Sequence, residues 1–222
     1  MATALGRAGW GLGGVLGRED DVREAATGVD LLVIAVPDDS VADVARGVTP
    51  VRSTVVAHMA GSLGLDVLDP HPRRAAVHPL ASLPSPELGA ERLRGAWFAI
   101  AGDHLIESVV SSLEGRSFTV TDRQRAAYHA AAAISSNHLV ALLAQVERIA
   151  ASVDVPFEAY LDLARATVEN VAALGAVEAL TGPAARGDEA TIARHIDALP
   201  PDERQLYETL AEACRKLAAW KS

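Results

Sequence analysis

The sequence predicts an α/β domain built on a parallel sheet, followed by an all-helical domain. Three observations carry that prediction. Residues 31–36, LLVIAV, are apolar at every position and stop at Pro37, as a strand buried on both faces should. Other short apolar runs recur before residue 120, each closed by Gly, Pro, Asp or His and separated by polar or helical stretches, which argues a sheet with helices on its faces. After Thr121 the strand signal ends and the chain becomes Ala-rich with helical periodicity. The expected domains are therefore residues 1–120 and 121–222.

Taken in order, Met1 to Leu5 read as the middle of a helix. Candidate strands cover residues 12–16, 31–36, 54–57, 75–77, 97–100 and 117–120, with a polar helix after the first of them. Beyond Thr121, residues 123–152 read as one long helix. Pro156 opens a second that runs to about residue 173, Asp188 caps a third to Ala198, and Pro201 opens a fourth to Trp220. TGPAARGD, residues 181–188, reads as a turn, with Arg186 exposed or reaching a substrate carboxylate.

Composition narrows the partners. A net charge of -9 and the lack of a Lys/Arg run interleaved with aromatics argue against nucleic acid. No apolar stretch approaches the roughly 20 residues of a membrane span, and Met1 to Trp10 carries no signal-peptide core. The lone Cys214 precludes an intramolecular disulfide and suits a reducing compartment, so a cytoplasmic protein is expected. The seven histidines show no HExxH or comparable spacing, and no metal is expected.

Ligands of open α/β sheets bind at the carboxyl ends of the strands. Here three successive strand ends carry unusual residues: Val36, Pro37, Asp38, Asp39 and Ser40; His58, Ala60, Gly61, Ser62 and Gly64; then His78, Pro79 and Leu80. Any one of these reads more simply as a turn or cap residue, and their concurrence at successive strand ends is the signal. Val36 and Pro37 can pack against a nicotinamide ribose. Arg18, placed where an acidic residue of a dinucleotide fold would hold the ribose hydroxyls, suits a 2′-phosphate and so NADP(H) over NAD(H). It reads also as an exposed Arg opening a charged helix, followed by Glu19, Asp20 and Asp21. Arg18, Val36, Pro37, Asp38, Ala60 and Gly61 are thus the candidate cofactor-binding positions. Further on, His129 and Ser136 stand seven residues apart, on one helix face, with Asn137 beside them and the small run Ala130 to Ala133 between. They either line a cleft or belong to an Ala-rich packing helix.

The segments LLVIAVPDD, VVAHMAGSLGLDVL, AAVHPLASLP, RAAYHAAAAISSNHLVALL and LTGPAARGDEATIARHI resemble, over essentially the whole chain, the Rossmann-like proteins with a C-terminal helical domain of unknown function. The resemblance implies NAD(P)-dependent oxidoreductases, similar in plan to pyrroline-carboxylate reductase, prephenate dehydrogenase and ketopantoate reductase. It implies hydride transfer to or from a small carbonyl, imine or hydroxy acid at an interdomain cleft. It implies also a homodimer through the helical domain, which the apolar Leu139, Val140, Leu142 and Leu143 favour.

Such chemistry needs a group that protonates or polarises the acceptor. His78, in a His-Pro pair similar to that of prephenate dehydrogenases, is the first candidate for general acid or base, with Ser62 and Asn137 orienting substrate and His129 and Ser136 facing them. The only lysines are Lys216 and Lys221, so the chain departs from the helix-borne lysine of ketopantoate reductase and the β-hydroxyacid dehydrogenases. Members of the resembling family also begin with a strand and a GxGxxG-type turn that this sequence lacks, so an N-terminally truncated chain, or a mis-set start, is expected. A non-catalytic ligand- or dinucleotide-binding protein on the same scaffold is the alternative.

Overall fold

A computed structural model describes residues 1–83 and 85–221. The chain divides into two compact units, Met1–Ser136 and Asn137–Ser222. The division falls later than the composition shift at Thr121. Composition changes where the strands end, whereas compactness follows contacts, and the helix after Thr121 packs its ring side chains on the sheet's strand ends.

In the first unit, strands β1 (Leu31–Ile34), β2 (Val55–His58), β3 (Arg74–Pro79), β4 (Trp97–Gly102) and β5 (Arg116–Thr119) form one sheet in the order β1-β2-β3-β4-β5. Helices α1 (Ala2–Arg7), α2 (Val41–Gly47), α3 (Pro86–Leu93), α4 (Leu105–Ser112) and α5 (Arg125–Ala133) accompany it. Side chains alternate across a strand, and β2 shows the result: Val55 and Ala57 enter a core with Leu5, Leu93, Phe98, Ile106 and Val109, while Val56 enters another with Ile34, Val41, Ala45 and Leu68. Both faces of β2 are thereby dry. Each fully buried Val, Leu or Ile contributes about 1.5–3 kcal/mol.

Three expectations need correction. Residues 12–16 form no strand: Leu12, Val15 and Leu16 are 52%, 77% and 50% exposed, and an apolar run without a neighbour to pair with leaves its backbone to water. The polar segment after Arg18 is a series of turns rather than a helix. The sheet is not wholly parallel, because β4 runs antiparallel to β3 in the register Pro79↔Phe98 to Ala75↔Gly102. The chain leaves β3 and, after α3, starts β4 beside the same end, with Leu80 N–H donating to Trp97 O.

The second unit is helical: α6 (Leu139–Ser152), α7 (Phe157–Leu174), α8 (Ala176–Ala179), α9 (Pro183–Arg186), α10 (Glu189–Ala198) and α11 (Pro201–Ala218). The long helix expected over residues 123–152 is divided into a 3-10 turn at Asp122–Gln124, α5, a π-helical segment at Ile134–His138, and α6. The α6–α11 pair is fixed by polar contacts: Gln145 Nε2 donates to Glu203 O at 2.9 Å, and Arg148 grips the Glu203 carboxylate at 2.5 and 3.1 Å. Asp188 caps α10 by accepting from Thr191 N–H at 3.0 Å. The TGPAARGD segment contains the one-turn α9, and Arg186 lines a depression with Thr181 and Lys221. Among the described residues no helix is long and apolar enough to cross a membrane.

Candidate functional site

The site grows from the carboxyl ends of β2 and β3. β2 closes on His58, whose ring is wholly buried and whose Nε2 lies 3.2 Å from Gly64 O, so the loop after the strand folds back over its own end. β3 closes on His78 and Pro79, with His78 half-buried opposite Ala99. Nδ1 of His78 lies 2.6 Å from the Tyr128 hydroxyl on α5. The His129 ring meets His78 edge-on at 5.7 Å, and Tyr128 meets Phe118 of β5 at 5.7 Å.

Gly61 lies between these rings. A Cβ there would stand 2.4 Å from Nδ1 of His129, closer than a Cβ atom can approach, and 3.0 Å from Nε2 of His78, a tight contact. Glycine is required at 61 by the two imidazoles themselves.

Arg125, the first residue of α5, is 1% exposed. Three and four residues before Tyr128 and His129, it shares their helix face. Its Nε reaches Asp122 Oδ1 only at 3.4 Å, while Nη1 and Nη2 are buried and have no hydrogen-bond partner in the protein. Nδ1 of His58 and Nδ1 of His129 are likewise buried and unpartnered. Buried polar atoms are nearly always satisfied, so this concentration of unpartnered ones sets the cluster apart from the rest of the core.

The charges follow from burial. Desolvation pushes His78 from 6.5 down to about 4, the neighbouring His129 and Arg125 add to this, and Asp38 opposes it. His58 is lowered by burial and then by Arg125, against the Gly64 hydrogen bond and the charges of Asp38 and Asp122. Tyr128 is raised by burial, with Arg125 pulling the other way. At neutral pH His58 and His78 are therefore neutral and the Tyr128 phenol is protonated, beside the Arg125 guanidinium. A neutral imidazole donates from one nitrogen and accepts at the other, so whichever tautomer His78 adopts, the His78–Tyr128 pair keeps one proton to give.

The sequence-predicted positions divide. His78, His129 and Gly61 are brought together. Ser62 donates to Asp38 Oδ2 at 2.7 Å, tying the loop after β2 to the loop after β1. Val36, Pro37 and Asp38 are exposed at the end of β1, and Ala60 is buried. Arg18 is exposed in a segment without regular structure, so it ends no strand. Ser136 turns its hydroxyl back to Ala132 O at 2.8 Å, and Asn137 belongs to the second unit. The sequence reading missed Tyr128 and Arg125. Their signal was the spacing of Arg125, Tyr128 and His129 on one helix face.

Among the described residues no three His, Cys, Asp or Glu side chains converge as metal ligands.

Comparison with known proteins adds the following. Residues 98–214 match a family described as a domain of unknown function (DUF2520), and residues 15–84 match a Rossmann-like domain. No curated protein matches the chain. Solved structures show the same fold. A protein provisionally named an NADP oxidoreductase, from Bacteroides fragilis, superposes with a TM-score of 0.82 at 22% identity, over 97% of this chain and 92% of that one. A protein from Thermotoga maritima gives 0.71 at 24% identity, over 85% and 78%. The pyrroline carboxylate reductase of Plasmodium falciparum, with NADP bound, gives 0.56 at 13% identity, over 90% and 81%. The chain thus shares its fold with these proteins, with a Rossmann-like first part.

Proposed function

The chain belongs to the DUF2520 family, and from that premise we propose that it is an NAD(P)-dependent oxidoreductase acting on a small carbonyl or imine compound, or on the corresponding hydroxy acid or amine. The observation that carries the reading is the neutral His78–Tyr128 pair at the end of β3. NADP(H) is favoured over NAD(H) by the names of the similar structures rather than by Arg18, which has no strand behind it.

The residues present fit the nicotinamide end of such a cofactor. Val36, 37% exposed, and Pro37 offer an apolar wall at the end of β1, and the Ser62–Asp38 bond holds the two strand-end loops beside it. No glycine-rich turn joins a strand to a helix among the described residues, so no phosphate contact is assigned. A bound nicotinamide supplies or takes the hydride. The chain's own residues handle the proton: the Tyr128 hydroxyl gives it to the acceptor oxygen or nitrogen, His78 Nδ1–H replaces it, and Nε2 takes one up in turn, leaving the ring neutral in its other tautomer. Burial favours this route because it keeps both partners uncharged between turnovers.

The test is NADPH and NADH consumption with a panel of small 2-oxo acids, aldehydes and cyclic imines. Turnover that needs Tyr128 supports the reading, and nucleotide binding without turnover of any of them moves the binding-protein alternative ahead.

We propose also that the protein is a homodimer through its helical unit. Every residue from Arg165 to Leu174 of α7 is exposed, with Val168, Val171 and Leu174 among them, and Leu163, Leu139 and Val140 are exposed as well. A helix half with no packed face has little to hold it in water, and a second copy would supply that face.

A further inference from the structure

We infer that Arg125 is the binding residue for a carboxylate of the substrate, which narrows the substrate class to small acids whose reacting carbonyl or imine lies close to the carboxylate. The inference rests on the oxidoreductase reading for the reaction but not for the binding.

Arginine is among the residues least often fully buried, and a buried guanidinium needs partners for its N–H groups. Arg125 has one long contact, Nε to Asp122 Oδ1 at 3.4 Å, and Asp122 is itself exposed and packed against Gly64. Nη1 and Nη2 donate to nothing in the protein, although backbone carbonyls are the ordinary means of satisfying such a group. The two free nitrogens form one edge of a planar fork, and the ligand that matches this edge is a pair of oxygens on one carbon, held bidentately.

Position separates a substrate carboxylate from other anions. Arg125 lies on the helix face that also carries Tyr128 and His129, and its charge is felt at His58, His78 and Tyr128. An anion held here sits beside the proton-transferring pair rather than at a remote phosphate site. Its arrival also cancels one of the charges that keep His78 deprotonated, so binding and proton uptake reinforce each other.

The experiment needs no cofactor. Histidine side-chain NMR and thermal melting are followed on the full chain with pyruvate, with its uncharged counterpart pyruvamide, and with inorganic phosphate. Pyruvate alone should shift the His78 resonances and raise the melting temperature. Arg125→Gln should weaken pyruvate binding about tenfold or more, as the loss of a charge-assisted pair does, and Arg125→Lys should recover part of it. Should either variant fail to fold, the unmodified protein still decides the matter. Absence of a pyruvate response, an equal response to pyruvamide, or a stronger response to phosphate overturns the inference. Carboxylate binding through Arg125 without turnover of any acid would defeat the oxidoreductase reading alone. Turnover of uncharged carbonyls, unaffected by Arg125→Gln, would defeat this inference alone.

Discussion

The Tyr128 hydroxyl lies 2.6 Å from Nδ1 of His78, joining the first helix after the sheet to the end of its central strand. Burial raises the phenol and lowers the imidazole, so neither carries charge at neutral pH and the proton between them is shared by neutral groups. Tyr128→Phe removes the hydroxyl and leaves the ring packed on Phe118. It should reduce kcat by about 100-fold, the usual weight of a general acid, while leaving NADPH affinity unchanged. Steady-state kinetics with separate nucleotide titration checks this, and an unchanged kcat would remove the pair from the mechanism.

Gly61→Ala is the sharpest probe of the packing. The new methyl would meet two imidazole side chains packed edge-on against each other: His129 at 2.4 Å and His78 at 3.0 Å. Overpacking of this kind costs about 1–3 kcal/mol, and here it also pushes apart the two histidines. Urea unfolding should show the loss, and the His78 and His129 resonances should both move. A variant as stable as the parent, with unmoved resonances, would mean that the loop and α5 are not seated as described.

Stability should fall on mild acidification. The unfolded chain takes up a proton at His78 near 6.5, whereas the folded protein resists until about 4. The folded state therefore has its full advantage above pH 6.5 and loses it progressively between 6.5 and 4. The full shift corresponds to a little over 3 kcal/mol, or ~2 kcal/mol once partial exposure is allowed for. His58 shifts in the same direction and adds to the slope. His78→Gln should flatten the stability profile across this window, as measured by urea unfolding at successive pH values.

The parts of this architecture that were legible in the sequence are those that depend on local pattern. Residues 31–34 are a strand because an unbroken apolar run closed by Pro37 has few alternatives. Asp188 announces α10 because its carboxylate has one obvious task three residues on. Residues 12–16, LGGVL, also read as a short strand and form none, because a strand exists only with a neighbour, and pattern says nothing of neighbours. The antiparallel course of β4 was hidden for the same reason, since side-chain alternation is identical in either direction. In the site, His78 was marked by its His-Pro pair. Arg125 was not, since an arginine next to Asp122, Arg123 and Gln124 reads as the solvated start of a helix. Only the fold reveals that it is buried.

The dimer reading makes a direct claim on α7. At 100° per residue, Leu163, Val171 and Leu174 fall within about a quarter of a turn of one another, a stripe rather than scattered apolar residues. All three are exposed, which a helix in isolation tolerates poorly. Light scattering should return twice the 23.2 kDa of one chain at micromolar concentration. Val171→Asp places a charge on the stripe, where burial against a second copy would strip it of water, and should shift the protein to monomer. The substitution should cost an isolated chain little, since position 171 is already in solvent. A dimer that survives Val171→Asp assembles through another surface. A monomer in the unmodified protein removes the reading altogether and leaves the apolar half of α7 to a different partner.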